Sequence, residues 1–259
     1  MMKNRPIAAS LAAMAAMSIA YPAFSQVSED GMGKVLPVEI ETCNYNDGQD
    51  ASDLDKVINR WSEFMDDNGI DNYAAWTLTP YFHTSEQDFD FIWLGAYADG
   101  NAMGAGINTW LTKGGDLQED FEEVATCDAH IMLSSAMYKE PASATTPASG
   151  IFTMMDCKLN EGSRYSDIKA AELKWAAHLT SSGSAAGYWH WFPTYGGGDS
   201  EFDYKVVFGY TDFVEVGSAF EHFANGGGRD VSRGIFGDID ECDDARAYVA
   251  TSQRAATLR

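Results

Sequence analysis

The sequence predicts an α+β fold made of two tandem halves, each running β-α-β-β-α-β. Three observations carry this. An aromatic stretch occurs twice: Trp76, Pro80, Asp90, Tyr97 and Asp99 recur as Trp189, Pro193, Asp203, Tyr210 and Asp212, each pair 113 positions apart. Cys43 precedes Trp61, and Cys157 precedes Trp175, by the same 18 residues. Residues 140–150 form a linker rich in Pro, Ala, Ser and Thr, after which the pattern restarts. A period this long marks duplicated domains rather than a solenoid.

Taken in order, Lys3 and Arg5 open a basic start, and residues 7–20 are an apolar run too short to span a bilayer. Ala23-Phe24-Ser25 offers small residues to a signal peptidase, so residues 1–25 read as a signal peptide cleaved before Gln26. Residues 26–36 read as a flexible leader. The first half then spans 37–139. Residues 38–43 alternate like a strand. Ser52 with Asp55 resembles a capping box, and Leu54, Val57, Ile58, Trp61, Phe64 and Met65 share one helical face that stops at Gly69. Two aromatic strands follow, with Pro80 near the end of the first. Met103, Ile107, Trp110 and Leu111 make a second helical stripe, residues 117–124 add a further turn or two, and residues 130–138 read as a strand.

The second half, 151–259, repeats this. Residues 151–157 form a strand. Ser166 starts a helix with Ile168, Ala171, Trp175 and Leu179 inward. The second aromatic hairpin follows, then a helix carrying Val216, Phe220 and Phe223 and ending at Gly226. A closing strand spans 246–252. Asp99 and Asp212 precede helical stripes and suit N-terminal caps, while Asp90 and Asp203 open strands as turn residues.

The formal net charge of −22 becomes −24 when Lys3 and Arg5 leave with the signal peptide. Such a chain repels nucleic acid and anionic membranes, so neither is expected as a partner. Export implies a periplasmic or secreted protein, with no membrane attachment after cleavage, as a monomer or homodimer.

The β-α-β-β-α-β order is the split βαβ, ferredoxin-like one. Two such halves in one chain resemble the dimeric α+β-barrel superfamily, in tandem single-chain form, which includes antibiotic-biosynthesis-type monooxygenases. The resemblance lies in element order and duplication over nearly the whole mature chain. It implies two sheets packed face to face with helices outside, and a lumen that holds a small molecule in many members. The superfamily includes cofactor-free oxygenases, isomerases and haem enzymes, and no short motif here carries over a catalytic residue.

In the ferredoxin-like order the first and last strands of each half are antiparallel neighbours. That pairs Cys43 with Cys127 and Cys157 with Cys242, crossed pairs or free thiols being the alternatives. No C-x-x-C and no His spacing supports zinc, so no metal site is expected.

Several side chains remain candidates for chemistry. The five histidines occupy no position that is His in the other half, so any His site is confined to one half. His190 lies between Trp189 and Trp191 and faces opposite to them; it is the leading acid/base or axial-ligand candidate, weighed against a satisfied core histidine. Glu39 and Glu41 share a strand face and are Thr153 and Met155 in the second half, so Glu41 is a candidate acid or base, or an ordinary surface charge. Lys205 stands where the first half has Ile92 and suits an anion, or snorkels. Glu172 and His178 replace Ile58 and Phe64, for which exposure of that helix is the simpler account. Trp76, Trp93, Trp189 and Trp191 line either an apolar cavity between the sheets or a packed core. The resulting expectation is an exported tandem barrel that binds a small apolar ligand or is structural, with no cofactor. The alternative is a cofactor-free oxygenase or isomerase acting on a small aromatic substrate in the lumen.

Overall fold

The computed structural model describes residues 34–256 apart from Glu86, 143–148 and Asp199. The predicted signal peptide and its cleavage point lie outside the described residues, as do residues 26–33 of the leader and most of the linker.

The N-terminal part is β1 (Leu36–Tyr45), α1 (Ala51–Asp67), β2 (Tyr73–Phe82), β3 (Phe91–Tyr97), α2 (Gly100–Lys113), α3 (Gly115–Val124) and β4 (Ala125–Lys139). The C-terminal part is β5 (Ser149–Leu159), α4 (Tyr165–Ser181), β6 (Gly187–Tyr195), β7 (Tyr204–Tyr210), α5 (Phe213–Ala224), α6 (Gly228–Phe236), β8 (Asp240–Cys242) and β9 (Arg246–Arg254). In the first part the strands lie in the order β4-β1-β3-β2; in the second, β9-β5-β7-β6. The two sheets join through β4–β6 and β2–β9, closing an eight-stranded antiparallel barrel with no open edge along its circumference. Short β8 pairs with the end of β5.

Local chemistry sets the joints. Asp99 Oδ1 accepts from Asn101 and Ala102 N–H at 3.0 and 2.9 Å, and Asp212 Oδ1 accepts from Val214 and Glu215 at 2.8 and 3.0 Å, capping α2 and α5 as predicted. Asp90 Oδ2 accepts from Tyr45 N–H at 2.8 Å and Asp203 Oδ2 from Leu159 N–H at 2.7 Å, each fastening the start of one strand to the end of its neighbour. Both disulfides form between directly opposed residues, Cys43–Cys127 and Cys157–Cys242.

Some details differ from the sequence reading. The α1 capping box is Asp50 with Asp53, because Asp50 accepts from Ser52 N–H at 2.8 Å and Asp53 accepts from Asp50 N–H at 3.3 Å. Leu111 faces solvent rather than the α2 core stripe. α6 lies beyond the sequence reading, which ended the preceding helix at Gly226; only its Gly228 is buried, but Val231 and Ile235 share one face with Phe236 beside them, and Ile235 and Phe236 pack half-buried against the core under α4. The last strand of the C-terminal part is broken where its counterpart β4 is continuous. There Asp243 Oδ1 accepts the Asp156 N–H at 2.7 Å, so a side chain replaces a ladder carbonyl.

Strand alternation separates three apolar layers. The barrel interior holds Val38, Ile40, Leu78, Ile92, Leu94, Leu133, Trp191, Val207, Tyr248 and their neighbours, with Trp76 and Trp189 packed against them. α1–α3 cover the outer face of β1–β4 over Trp61, Tyr73, Phe91 and Tyr97. α4 and its neighbours cover the outer face of β5–β7 over Ile168, Trp175, Tyr188 and Tyr204.

Candidate functional site

The two helical layers are filled differently. Register matches Glu39 to Gly95 on β1–β3 and Thr153 to Phe208 on β5–β7, so corresponding positions can be compared. Under α1–α3, Trp93 and Tyr73 fill the face with aromatic rings, and Trp61 meets both edge-on at 5.1 and 5.8 Å. Their counterparts at the 113-residue offset are Val206 and Ala186. Glu39 and Glu41 become Thr153 and Met155. Substituting smaller groups for two large rings leaves a cavity of about 580 Å³ between the outer face of β5–β7 and α4–α6, lined by all four of these replacements.

α4 contributes Trp175 and Leu179, β7 contributes Phe208, α5 contributes Val216, Phe220, His222 and Phe223, and α6 contributes Phe236. α5 has no buried residue, and Phe220 is 64% exposed although it lines the cavity. The stripe Val216, Phe220 and Phe223 forms as predicted but closes on space rather than on side chains. On the other side of the barrel, α2 packs Met103, Ile107 and Trp110 onto a filled core.

Polar side chains also line this cavity, Tyr210, Glu215, Asp240 and several serines among them, and two groups stand out, one around Glu172 and one around His222. Glu172, expected on an exposed helix face, is 1% exposed. Tyr188 makes this burial tolerable by donating its hydroxyl to Glu172 Oε2, while His190 Nε2 lies 2.9 Å from Glu172 Oε1 and 3.0 Å from the Tyr188 oxygen. Burial first, then the Glu172 charge, pushes the Tyr188 phenol well above its ordinary range. His190 is 0% exposed and stacks on Tyr204, whose hydroxyl donates to Asp240. Its Nδ1 has no partner among the described residues. The second group is His222, whose Nε2 lies 3.0 Å from His178 Nε2, so that one ring donates and the other accepts. His178 is fixed by stacking on Trp175.

The structure does not gather the sequence candidates into one place. His190 lies outside the barrel lumen, in the layer under α4. Glu41 sits on the outer face of β1 with Glu39 and His130. Burial raises its carboxyl, with the His130 charge opposing and Glu39 adding. Lys205 faces the interior side of β7, bonded to Asp156, which also binds Arg246 at 3.1 Å, and lies 3.9 Å from the Phe202 ring. Desolvation lowers its pKa and the Asp156 charge offsets part of that. Trp76, Trp189 and Trp191 belong to the packed interior; Trp93 lies under α1–α3 instead. Sequence reasoning missed Glu172, Tyr188 and His222 as a group. The available signal was the exchange of Tyr73 and Trp93 for Ala186 and Val206.

Two disulfides fit an oxidising compartment outside the cytoplasm. Among the described residues no helix is long and apolar enough to cross a membrane.

No family model matches this sequence, and no curated protein matches it. Solved structures do share its fold. A protein of Lactobacillus acidophilus named a monooxygenase superposes with a TM-score of 0.54 at 10% identity, covering 87% of this chain and 100% of the other. A haem-binding protein of Thermus thermophilus gives 0.51 at 11%, covering 85% and 92%. Chlorite dismutase of Candidatus Nitrospira defluvii, in complex with imidazole, gives 0.50 at 7%, covering 87% and 93%. The expectation of no cofactor is corrected by these neighbours, since one protein on this fold is named as haem-binding and another holds imidazole. The chain thus has the α+β-barrel architecture of chlorite dismutase-like and monooxygenase-named proteins.

Proposed function

We propose that the chain is an exported small-molecule-binding protein of two tandem ferredoxin-like halves, 37–139 and 151–259, that takes a flat, largely apolar ligand of the haem class in the cavity of the second half. The observation that carries this is the hollow under α5. Apolar walls without partners forfeit dispersion contacts, and a ligand restores them. The volume falls within the range of about 300–1,000 Å³ usual for small-molecule sites. Export is supported by the basic and apolar start of the sequence together with the disulfides.

The apolar walls and one imidazole suit the macrocycle of a haem, whereas the lining carries Glu172, Glu215 and Asp240 and no Lys or Arg, so the match is to the macrocycle and not to the propionates. Trp175, Leu179, Phe208 and Phe223 suit the face of a macrocycle, and His222 is an imidazole on the same wall. His178 engages one ring nitrogen of His222, the kind of outer partner that orients a metal-binding histidine and leaves its other nitrogen for iron. When bound, haem supplies one-electron and oxygen chemistry. The chain's own contribution is to exclude water with the walls and to hold a proton on the Tyr188 hydroxyl, kept there by burial and by the Glu172 carboxylate. A lumen substrate finds less support, because Leu78, Leu133 and Val207 fill the barrel interior.

Haemin titrated into the purified protein is expected to give a Soret band saturating at one equivalent. His222→Ala is expected to weaken binding by at least about tenfold or to shift the band, as loss of an axial ligand does. A folded wild-type protein that leaves the haemin spectrum unchanged contradicts the assignment.

A further inference from the structure

We infer that the first half carries a site for a divalent transition-metal ion, formed by Glu39, Glu41 and His130. The site lies on the opposite helical layer from the haem cavity and does not depend on it.

The sheet builds the donor set. Glu41 stands opposite His130 in the β1–β4 register, and Glu39 is two residues along β1 on the same face. One donor atom from each residue lies within 4.8 Å of the other two. His130 Nε2 is 3.1 Å from Glu39 Oε2 and 3.5 Å from Glu41 Oε1. Metal bonds of about 2.0–2.2 Å to nitrogen and oxygen place neighbouring ligands roughly 3–3.5 Å apart, so the spacing already suits an ion.

Glu39 is also held as a metal ligand would be. It is only 7% exposed, and a buried carboxylate without a cation is costly. Its Oε1 accepts from the Tyr73 hydroxyl, which in turn accepts from Trp93 Nε1 at 2.9 Å. That fixes the carboxylate with Oε2 turned to His130, the second layer of hydrogen bonds that orients metal ligands. The chain makes room for this arrangement. A Cβ on Gly95 would stand 2.0 Å from the Tyr73 oxygen and 2.7 Å from Glu39 Oε1, and the equivalent position in the second half is Phe208. Among the described residues, the ion pairs of Glu39 and Glu41 are with His130 alone.

The site is open on its outer side. The side chains of Glu41 and His130 are 29% and 59% exposed, so water or a small ligand can complete the coordination. Cys43 and Cys127 lie beside Glu41, but both sulfurs are spent in the disulfide. One imidazole and two carboxylates remain, a set suited to Zn²⁺, Fe²⁺, Co²⁺ or Mn²⁺ rather than to Ca²⁺.

The test is a titration of metal-stripped, haem-free, oxidised full chain with Co²⁺, followed by its visible absorption, and with Zn²⁺ against a chromophoric chelator. One ion per chain is expected. Glu41→Gln and His130→Ala, both at the open rim, should each weaken Zn²⁺ by at least about tenfold, and Tyr73→Phe by about 10–100-fold through loss of the Glu39 support. Thermal melts of the metal-free variants separate loss of the site from loss of the fold. Absence of stoichiometric binding by folded wild type overturns the inference. So does binding that survives Glu41→Gln and His130→Ala, or that His222→Ala abolishes instead.

Discussion

At the scale of single residues, charge is placed at depth only with a partner. Glu172 has Tyr188 and His190, Glu39 has Tyr73 and His130, and Tyr204 donates to Asp240. Asp240 shows the cost. Burial lifts its carboxyl above 3.8, and donation from Tyr204 only partly offsets this. With the folded pKa above the unfolded one, the folded chain takes up the proton first. Ionisation therefore costs stability above the folded pKa, and that cost fades as pH falls towards the unfolded value. Asp240→Asn, which keeps an acceptor for Tyr204, is expected to be the more stable protein near about pH 7, with the difference shrinking towards about pH 4. Urea midpoints across this range measure it; a difference that grows on acidification contradicts the assignment. None of this was legible at Glu172, where a lone acid on an apolar stripe reads as an exposed face. Its partner Tyr188 is sixteen residues away and reaches it only once β6 is in the sheet.

At the scale of elements, helices α2 and α5 begin alike, each on an aspartate cap, and end differently. α2 buries Ala102 and Gly106 and packs its larger apolar residues; α5 buries nothing. Helical stability in proteins comes mainly from packing of the apolar face, so α5 should open locally more often. Its amides are expected to exchange faster than those of α2 in the ligand-free protein and to slow by at least about tenfold when haemin is added. Equal rates in the two helices, or no response to haemin in a protein that binds it, would detach α5 from the site. The helices and their caps were readable because periodicity and Asp before an apolar stripe are local signals. α6 and the β8–β9 break were not: the first is a short helix, Gly228–Phe236, that starts within a run of glycines which reads as a helix end, and the second depends on Asp243 meeting Asp156 across 87 residues.

At the scale of the whole molecule, closure of the barrel through β4–β6 and β2–β9 puts the two helical layers on opposite outer faces. The interior between them is packed, so ligand space arises on a helical side. The 113-residue echo made the strand and helix order legible, and with it both disulfides, because pairing follows from order. The hollow was not legible from either part of the sequence alone. It is a difference in volume, visible only when Trp93 and Tyr73 are set against Val206 and Ala186 in a common register. The most direct test restores that volume. Val206→Trp places in the C-terminal part the ring that the N-terminal part carries at Trp93. Wild type and variant are compared by native mass spectrometry at one equivalent of haemin. The expected result is wild type heavier by one haemin and the folded variant at its bare oxidised mass. Wild type that stays bare, or two proteins that gain haemin alike, would contradict a ligand site in this cavity.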